Sequence, residues 1–485
     1  MERAELTSYA PASGDVIGRF PNSGPPEVAA AVEQARAAGD RWWRQGYDRR
    51  RESLHAFAGH LIRSIDKLAG LVHRETGKPL EDARLEVVIS VDHLRWAATH
   101  AERILHRSRR LPGLLMANVA AAVEYHPYGV VGVIGPWNYP LFTPMGSIAY
   151  ALAAGNAVVF KPSEFTPAVG VWLAEAWSQV VPDLPALQVV TGDGRTGAEL
   201  PAAGVDKVAF TGSTATAKRV MAACAETLTP VLLECGGKDP LIVAPDADLD
   251  GAVDAALWGG FTNAGQTCVG VERVFVVEEL FEEFLRRLAD RARALRPDVD
   301  YGPMTMPGQL DVVRGQVTDA LARGGRAVVG GEESFRPPYV DPIVLVDVPL
   351  DAPAARDETF GPTLTVHRVS TVDDAVTAVN SGPLALGATV FSDRSGEQIA
   401  RRLRAGMVSI NSVISFVAIP ALPFGGIGAS GFGRIHGPEG LREFARTQAL
   451  ARQRTRSPLP VMTFSRKKSS VDRLVRIVQR MYGRR

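Results

Sequence analysis

The run PYGVVGVIGPWNYPLFTPMGSIAYALAAGNAVVF, residues 127–160, contains no Asp, Glu, Lys or Arg. A membrane span needs about 20 mostly apolar residues whose backbone groups are met internally. Pro136, Asn138, Pro140, Pro144, Asn156 and several glycines interrupt this run. It reads better as a buried strand (130–134), a tight turn, a buried helix (145–154) and another strand (157–160). The alternation continues with a helix at 168–180, a strand at 187–191, a helix starting over 198–203, a strand at 207–211, a helix at 214–224 and a strand at 230–234. Strands alternating with helices predict a parallel sheet covered on both faces.

A second αβ series begins near Asp248. Its helices are expected at 248–261, 279–295, 308–323, 371–380 and 396–403, and its strands at 274–277, 343–346, 364–369, 388–391 and 408–410. Upstream, residues 26–110 carry helical periodicity over 32–38, 52–68 and 85–105. Residues 1–25 read as an irregular Gly/Pro-rich arm, and 119–125 as a strand.

Composition narrows the function. With 46% hydrophobic and 22% charged residues, the 485-residue chain is neither mostly disordered nor fibrous. A net charge of +1 argues against a nucleic-acid partner. The three cysteines, Cys224, Cys235 and Cys268, have no paired spacing and offer neither a disulfide framework nor a thiolate zinc site. None of the nine histidines belongs to a metal or triad pattern, so no metal is expected; His436 is expected to pack rather than react. The start Met1-Glu2-Arg3 lacks a basic-then-apolar leader, which predicts a cytoplasmic protein.

Near-neutrality is a cancellation. Residues 465–485 hold eight Lys/Arg and one acid, Asp472, against 46 basic and 52 acidic residues in the rest. Val471, Leu474, Val475, Val478 and Tyr482 recur at helical spacing among Lys468, Arg473, Arg476 and Arg480, a basic amphipathic helix. Three readings stay open: peripheral contact with the anionic inner membrane surface, docking on an acidic surface of the protein's own oligomer, or a frayed end.

Three segments carry reactive side chains. Cys268 ends Phe261-Thr-Asn-Ala-Gly-Gln-Thr-Cys268 in small polar company. Glu234 ends the apolar run Val231-Leu-Leu and meets Cys235-Gly-Gly237, at the carboxyl end of a strand, where parallel sheets bind ligands. Asn138 lies in the turn after the 130–134 strand and offers an amide donor of the kind an oxyanion needs. Taken singly, each has a bland reading: a buried thiol, a paired carboxylate, a turn asparagine.

Together they resemble the aldehyde dehydrogenase superfamily. Gly135-Pro-Trp-Asn-Tyr-Pro140, Lys161-Pro-Ser-Glu164, Phe210-Thr-Gly-Ser-Thr214, Glu234-Cys-Gly-Gly-Lys238, Gly265-Gln-Thr-Cys268, Glu358-Thr-Phe-Gly-Pro362 and Pro423-Phe-Gly-Gly426 are similar to its motifs and stand in its order, across about residues 30–450. The resemblance implies NAD(P)-dependent oxidation of an aldehyde to the acid. Cys268 would attack the carbonyl carbon, Asn138 would stabilise the oxyanion, and Glu234 would activate water against the thioester. It also implies a cofactor site of Ile134, Pro136, Trp137, Lys161, Ser163, Glu164, Gly194, Phe210, Gly212, Ser213, Glu358 and Phe360. NAD is favoured because a carboxylate at Glu164 bonds a free ribose 2′-hydroxyl and repels a 2′-phosphate, while NADP stays open. Two departures stand out: Ala217 where a glycine is common, and Cys235 where leucine often stands.

The segment from Ile410 to Gly437 is similar to the fatty and aromatic aldehyde branch. That implies an apolar pocket including Trp137, Tyr139, Phe416 and Phe424, for a medium- or long-chain aliphatic or aromatic aldehyde. A semialdehyde dehydrogenase, an acylating coenzyme-A-dependent enzyme and a non-catalytic scaffold remain as alternatives. The resemblance implies an α/β fold in three parts: a Rossmann-like NAD-binding domain (1–111, 130–234 and 431–451), a catalytic domain (235–430) and a small β oligomerisation element (112–129 and 452–464), followed by the basic tail (465–485). The last element is expected to include an apolar strand over 458–464 and to pair subunits into a homodimer or a dimer of dimers.

Overall fold

The computed structural model describes residues 5–457 and 459–483. Residues 1–4, 458, 484 and 485 lie outside that description, and with them the N-terminal start, one position of the expected 458–464 strand and the last two arginines of the tail. The chain separates into two compact units, residues 1–104 with 127–445, and residues 105–126 with 446–485.

The first unit opens on a hairpin rather than an irregular arm. Strand Glu5–Tyr9 pairs antiparallel with Val16–Pro21, and the turn closes at Gly14, whose φ of 76° suits glycine. Four helices follow, Pro25–Arg44, Gly46–Arg63, Ile65–Thr76 and Leu80–Leu105. The helix expected over 52–68 is two helices, broken at Ser64.

The charge-free stretch forms the centre of a six-stranded sheet. Its order is Gly431–Phe432, Val231–Glu234, Lys207–Thr211, Val130–Ile134, Ala157–Lys161, Leu187–Val189. All neighbours are parallel except the Gly431–Phe432 edge. The chain winds outward in one direction from Val130–Ile134 and then returns to its other side. The switch point therefore lies between that strand and Lys207–Thr211, and ligands bind at such a point beyond the strand ends. The intervening helix, Phe142–Ala154, is almost wholly buried, which accounts for its lack of charge.

A seven-stranded sheet has the order Arg326–Val329, Ile343–Val346, Thr363–Val369, Val271–Val277, Asp239–Val243, Gly387–Phe391, Met407–Ile410. Only Arg326–Val329 runs antiparallel. Two of these strands were not expected from sequence. Asp239–Val243 contains Pro240, which normally demotes a strand; here a register shift between Asp239 and Pro240 accommodates it. Arg326–Val329 is a short, partly exposed edge with a weak apolar signal.

The second unit holds a three-stranded sheet in the order Ala445–Gln453, Val119–Pro127, Ser108–Arg110, and the helix Lys468–Tyr482. The strand expected over 458–464 is absent among the described residues there; the chain's strand comes earlier, at Ala445–Gln453. Pro460 lacks the N–H a ladder needs. Among the described residues no helix is long and apolar enough to cross a membrane.

Candidate active site

Two cavities of the first unit share a boundary made by Thr143, Thr211, Glu234, Cys235 and Cys268. The larger, about 1090 Å³ including its mouth, is walled mostly by hydrocarbon: Leu85, Ile89, Tyr139, Phe142, Trp258, Val269, Leu386, Ile414, Val417, Phe424 and Ile435. The smaller, about 640 Å³, is a cleft lined by Pro136, Trp137, Asn138, Gly212, Ser213, Gly236, Met306, Gln309, Glu358 and Phe360.

Cys268 is presented by a tight loop between helix Leu249–Phe261 and strand Val271–Val277. Asn263, Ala264 and Gly265 all take positive φ, 52°, 57° and 69°. Such a run is costly for non-glycine residues and needs to be held. Gln266 holds it: its Nε2 donates to Asn263 O (2.8 Å) and Pro303 O (3.2 Å), and its Oε1 accepts from Thr305 N (2.8 Å). A methyl at Gly265 would come within 2.1 Å of Gly361 O, so glycine is required there. Burial pushes the Cys268 thiol well up, and the carboxylates of Glu358, Asp239 and Glu234 push the same way. The resting group is a thiol, which needs a base before it can attack.

Glu234 is the last residue of its strand and is 2% exposed. Among the described residues neither carboxylate oxygen has a hydrogen-bond partner of normal geometry, the Gly426 N–H making only a weaker contact. Burial raises its pKa well above the carboxylate range, with the Arg434 charge opposing. Arg434 is itself held by Gly426 O and Gly433 O. A buried carboxylate whose pKa is raised is a stronger base than an exposed one, which suits it to take a proton.

Asn138 is buried, and its Nδ2 donates to Gln266 O at 2.8 Å. The amide carries a second N–H that this bond leaves available. Its backbone carbonyl accepts from Lys78 Nζ (2.9 Å) and Asn263 Nδ2 (3.1 Å). Lys78 pairs with Glu86 at 2.6 Å, and Glu86 accepts from Leu141 N and Phe142 N at the start of the buried helix. Lys78 Nζ also lies 3.9 Å from the Tyr139 ring centre, and Tyr139 shares a hydrogen bond with Thr267 at 3.0 Å. The turn that carries Asn138 is thus tied both to the Cys268 loop and to the helical segment at 65–105.

The cleft's floor is glycine for a steric reason. A methyl on Gly236 would lie 2.1 Å from the Glu358 carboxylate. Glu358 accepts from Gly237 N at 3.2 Å; burial and then Glu272 raise its pKa to about 8. A buried Lys238–Glu272 pair fixes the neighbouring turn, since Glu272 accepts from Thr359 N and Phe360 N while Lys238 donates to Thr359. Ser213 caps helix Thr214–Ala225 at the cleft, leaving a helix N-terminus directed to an anion. Further along the strand ends, Lys161 is buried and lies 3.5 Å from the half-exposed Glu164, with Ser163 Oγ donating to the same carboxylate. Beside them Gly197 leaves open space up to Ile134 and Lys161, and no heavy atom crowds Gly194. These hydroxyl-accepting, cationic and glycine surfaces fit a dinucleotide.

The structure places Cys268 and Glu234 on the shared boundary, and Asn138, Pro136, Trp137, Gly212, Ser213, Glu358 and Phe360 on the cleft beside it. Phe210 packs beneath Gly212 rather than lining the cleft. Tyr139 and Phe424 line the apolar cavity; Phe416 does not, because it is buried against Gly387. Trp137 faces the cleft. Ala217 is buried within its helix. Sequence reading missed Lys78, Glu86, Asn263, Gln266 and Glu272, which hold the reacting groups, and Ile89, Trp258 and Val417, which shape the cavity. Asn263 and Gln266 stand inside the Phe261–Cys268 stretch and Val417 inside Ile410–Gly437, but the others carry no local signal.

The aldehyde dehydrogenase family profile matches residues 1–450. The chain is 37% identical to the 4,4'-diapolycopene aldehyde oxidase of Methylomonas sp, covering 99% of this chain and 91% of that protein. It is 34% identical to a putative succinate-semialdehyde dehydrogenase [NADP(+)] 2 of Mycobacterium ulcerans, covering 98% and 94%. The crystal structure of an NAD-dependent aldehyde dehydrogenase from Sinorhizobium meliloti superposes with a TM-score of 0.89 at 33% identity, covering 95% of this chain and 93% of that one. The chain belongs to the aldehyde dehydrogenase family, an oxidoreductase family whose reaction is NAD(P)-dependent oxidation of an aldehyde.

Proposed function

We propose that the protein oxidises an apolar aliphatic or aromatic aldehyde to the free acid, with NAD favoured over NADP. The observation that carries this is the placement of Cys268 and Glu234 on the wall shared by a hydrocarbon cavity and a glycine-floored cleft. Glu234 takes the Cys268 proton, and Sγ attacks the aldehyde carbon to give a thiohemiacetal. The free Nδ2 hydrogen of Asn138 and the Cys268 N–H stabilise its oxyanion. NAD(P), when bound, supplies the acceptor for the hydride that leaves this carbon. Glu358, Gly212, Ser213, Lys161 and Glu164 would hold it. Glu234 then gives the thiol proton up to solvent, and the freed carboxylate takes a proton from the water that attacks the thioester; the acid leaves, and the departing Cys268 thiolate takes that proton back from Glu234.

Charge inside the cavity separates the substrate classes. Among its lining residues, Lys78 is the one Lys or Arg, and Glu86 neutralises it. A semialdehyde carboxylate would find no partner there, which weighs against that reading despite the similarity to a protein named for it. The similarity to a diapolycopene aldehyde oxidase fits the apolar wall. Glu234 supports hydrolysis over transfer to coenzyme A. An NAD-dependent screen without coenzyme A tests all of this: NADH and free acid are expected from decanal and benzaldehyde, with succinate semialdehyde at least about tenfold poorer in kcat/KM. Preference for the semialdehyde, or a requirement for coenzyme A, would overturn it.

The two large sheets are assigned to a cofactor-binding and a catalytic domain, and the small element starts earlier on both sides than 112–129 and 452–464, because strands Ser108–Arg110 and Ala445–Gln453 belong to its sheet. The three-stranded sheet is assigned to subunit pairing, since the edge strand Ala445–Gln453 exposes backbone groups that another copy can pair with. Light scattering tests this, with a dimer or tetramer expected.

Helix Lys468–Tyr482 has no buried residue. Val471, Leu474, Val475, Ile477, Val478, Met481 and Tyr482 share one face, opposite Arg473, Arg476 and Arg480. The occupant that matches this face is an anionic lipid surface, with the side chains inserted and the arginines at the headgroups. Cosedimentation with phosphatidylglycerol vesicles should retain the full chain and release a chain ending at Phe464; equal binding by both would contradict it.

A further inference from the structure

The wall of the apolar cavity includes one polar ring that nothing satisfies. His436 is 1% exposed, and neither Nδ1 nor Nε2 has a hydrogen-bond partner. Its ring centre lies 4.0 Å from that of His93, 5.7 Å from Phe142, and 5.6 Å from both Tyr150 and Phe424. His93 uses Nε2 on Val417 O (3.0 Å) and leaves its own Nδ1 unmet. Burial holds His436 neutral. A neutral imidazole carries one N–H donor and one lone pair. Leaving both unmet in a buried site is costly and rare, so such a group asks for an explanation.

The surroundings are built to admit this ring. Helix Phe142–Ala154 passes it at Gly146, where a methyl would come within 2.7 Å of His436 Nε2. His436 itself takes a φ of 62°, which a non-glycine residue adopts only when its neighbours hold it there. No hydrogen bond links the ring to Cys268 or Glu234, so it is not part of the proton path. A leucine would fill the same hydrocarbon cage without unmet polar atoms.

We infer that His436, backed by His93, is a recognition point for a second, uncharged oxygen carried by the aldehyde substrate: a hydroxyl, ether or carbonyl oxygen on an otherwise apolar chain or ring. This rests on the proposed aldehyde reading and narrows it. The imidazole donates to such an oxygen or accepts from a hydroxyl. The cage around it offers no cation to neutralise a carboxylate.

The test is a set of kcat/KM ratios for matched aldehydes. Decanal is compared with decanals hydroxylated at successive carbons, and benzaldehyde with its hydroxy and methoxy derivatives. The wild-type enzyme is expected to prefer at least one oxygenated member over its parent by at least about tenfold. That ratio should fall to about one in His436→Leu and recover in part in His436→Gln, which restores a donor and an acceptor. Absence of any preference in the wild type would overturn the inference without any variant. A preserved ratio in folded His436→Leu would overturn it equally, while leaving the aldehyde reading intact. Turnover of none of the aldehydes would overturn both.

Discussion

The apolar cavity and the cofactor cleft meet at Cys268 and Glu234, yet they are assembled differently. The cleft is built from contiguous motifs at strand ends, and several of its positions admit no alternative: Gly236 is fixed by Glu358, and Gly265 by Gly361 O. The cavity draws its mostly apolar wall from distant segments, Ile89 on one helix, Trp258 on another and Val417 in the short helix Ser415–Ala418. On the proposed reading, one region fixes chemistry by backbone shape and the other fixes choice of substrate by exchangeable side chains. Substitutions at the shared boundary should therefore abolish turnover, those in the cleft should alter cofactor use, and those in the cavity should redirect specificity.

The largest effect is expected at the boundary. Cys268→Ala should lose more than about 10³-fold in kcat while keeping its circular dichroism spectrum, because no other group forms the covalent bond. Asn138→Ala should lose about 10²-fold in kcat with a smaller change in KM, as removal of an oxyanion donor does. In the cavity, Ile89→Arg should lower kcat/KM for decanal about tenfold and raise the relative rate with succinate semialdehyde, since it supplies the cation the wall lacks. In the cleft, Gly236→Ala should raise KM for NAD by about threefold or more, because its methyl displaces the Glu358 carboxylate. An unchanged KM for NAD there, with the aldehyde KM altered instead, would break the division between the two regions.

That division also governs what could be read from sequence. The parallel strands of the six-stranded sheet were legible because they are continuous apolar runs separated by helices. Cys268, Glu234 and Asn138 were legible because each sits inside a local motif. Strand Asp239–Val243 was not, since Pro240 argues against a strand unless the register shift is known. The Lys78–Glu86 pair was invisible for another reason: its meaning comes from Asn138 O, 60 positions away from Lys78. Phe416 misled because an aromatic near the C-terminal loop reads equally as cavity wall or core, and packing against Gly387 decided it.

The central claim is that one cysteine carries the acyl group while one buried carboxylate releases it. Burial holds the Glu234 pKa well above the usual carboxylate range, so turnover should rise with pH as Glu234 deprotonates, and Glu234→Gln should remove that limb. The most direct measurement is stopped-flow NADH formation by Glu234→Gln with NAD and decanal. A first turnover that is itself slowed but still yields about one NADH per subunit, followed by later turnovers slowed further by about 10²-fold and a thioester on Cys268 detectable by mass spectrometry, is the predicted result. Wild-type steady-state turnover with no accumulated acyl-enzyme would contradict it.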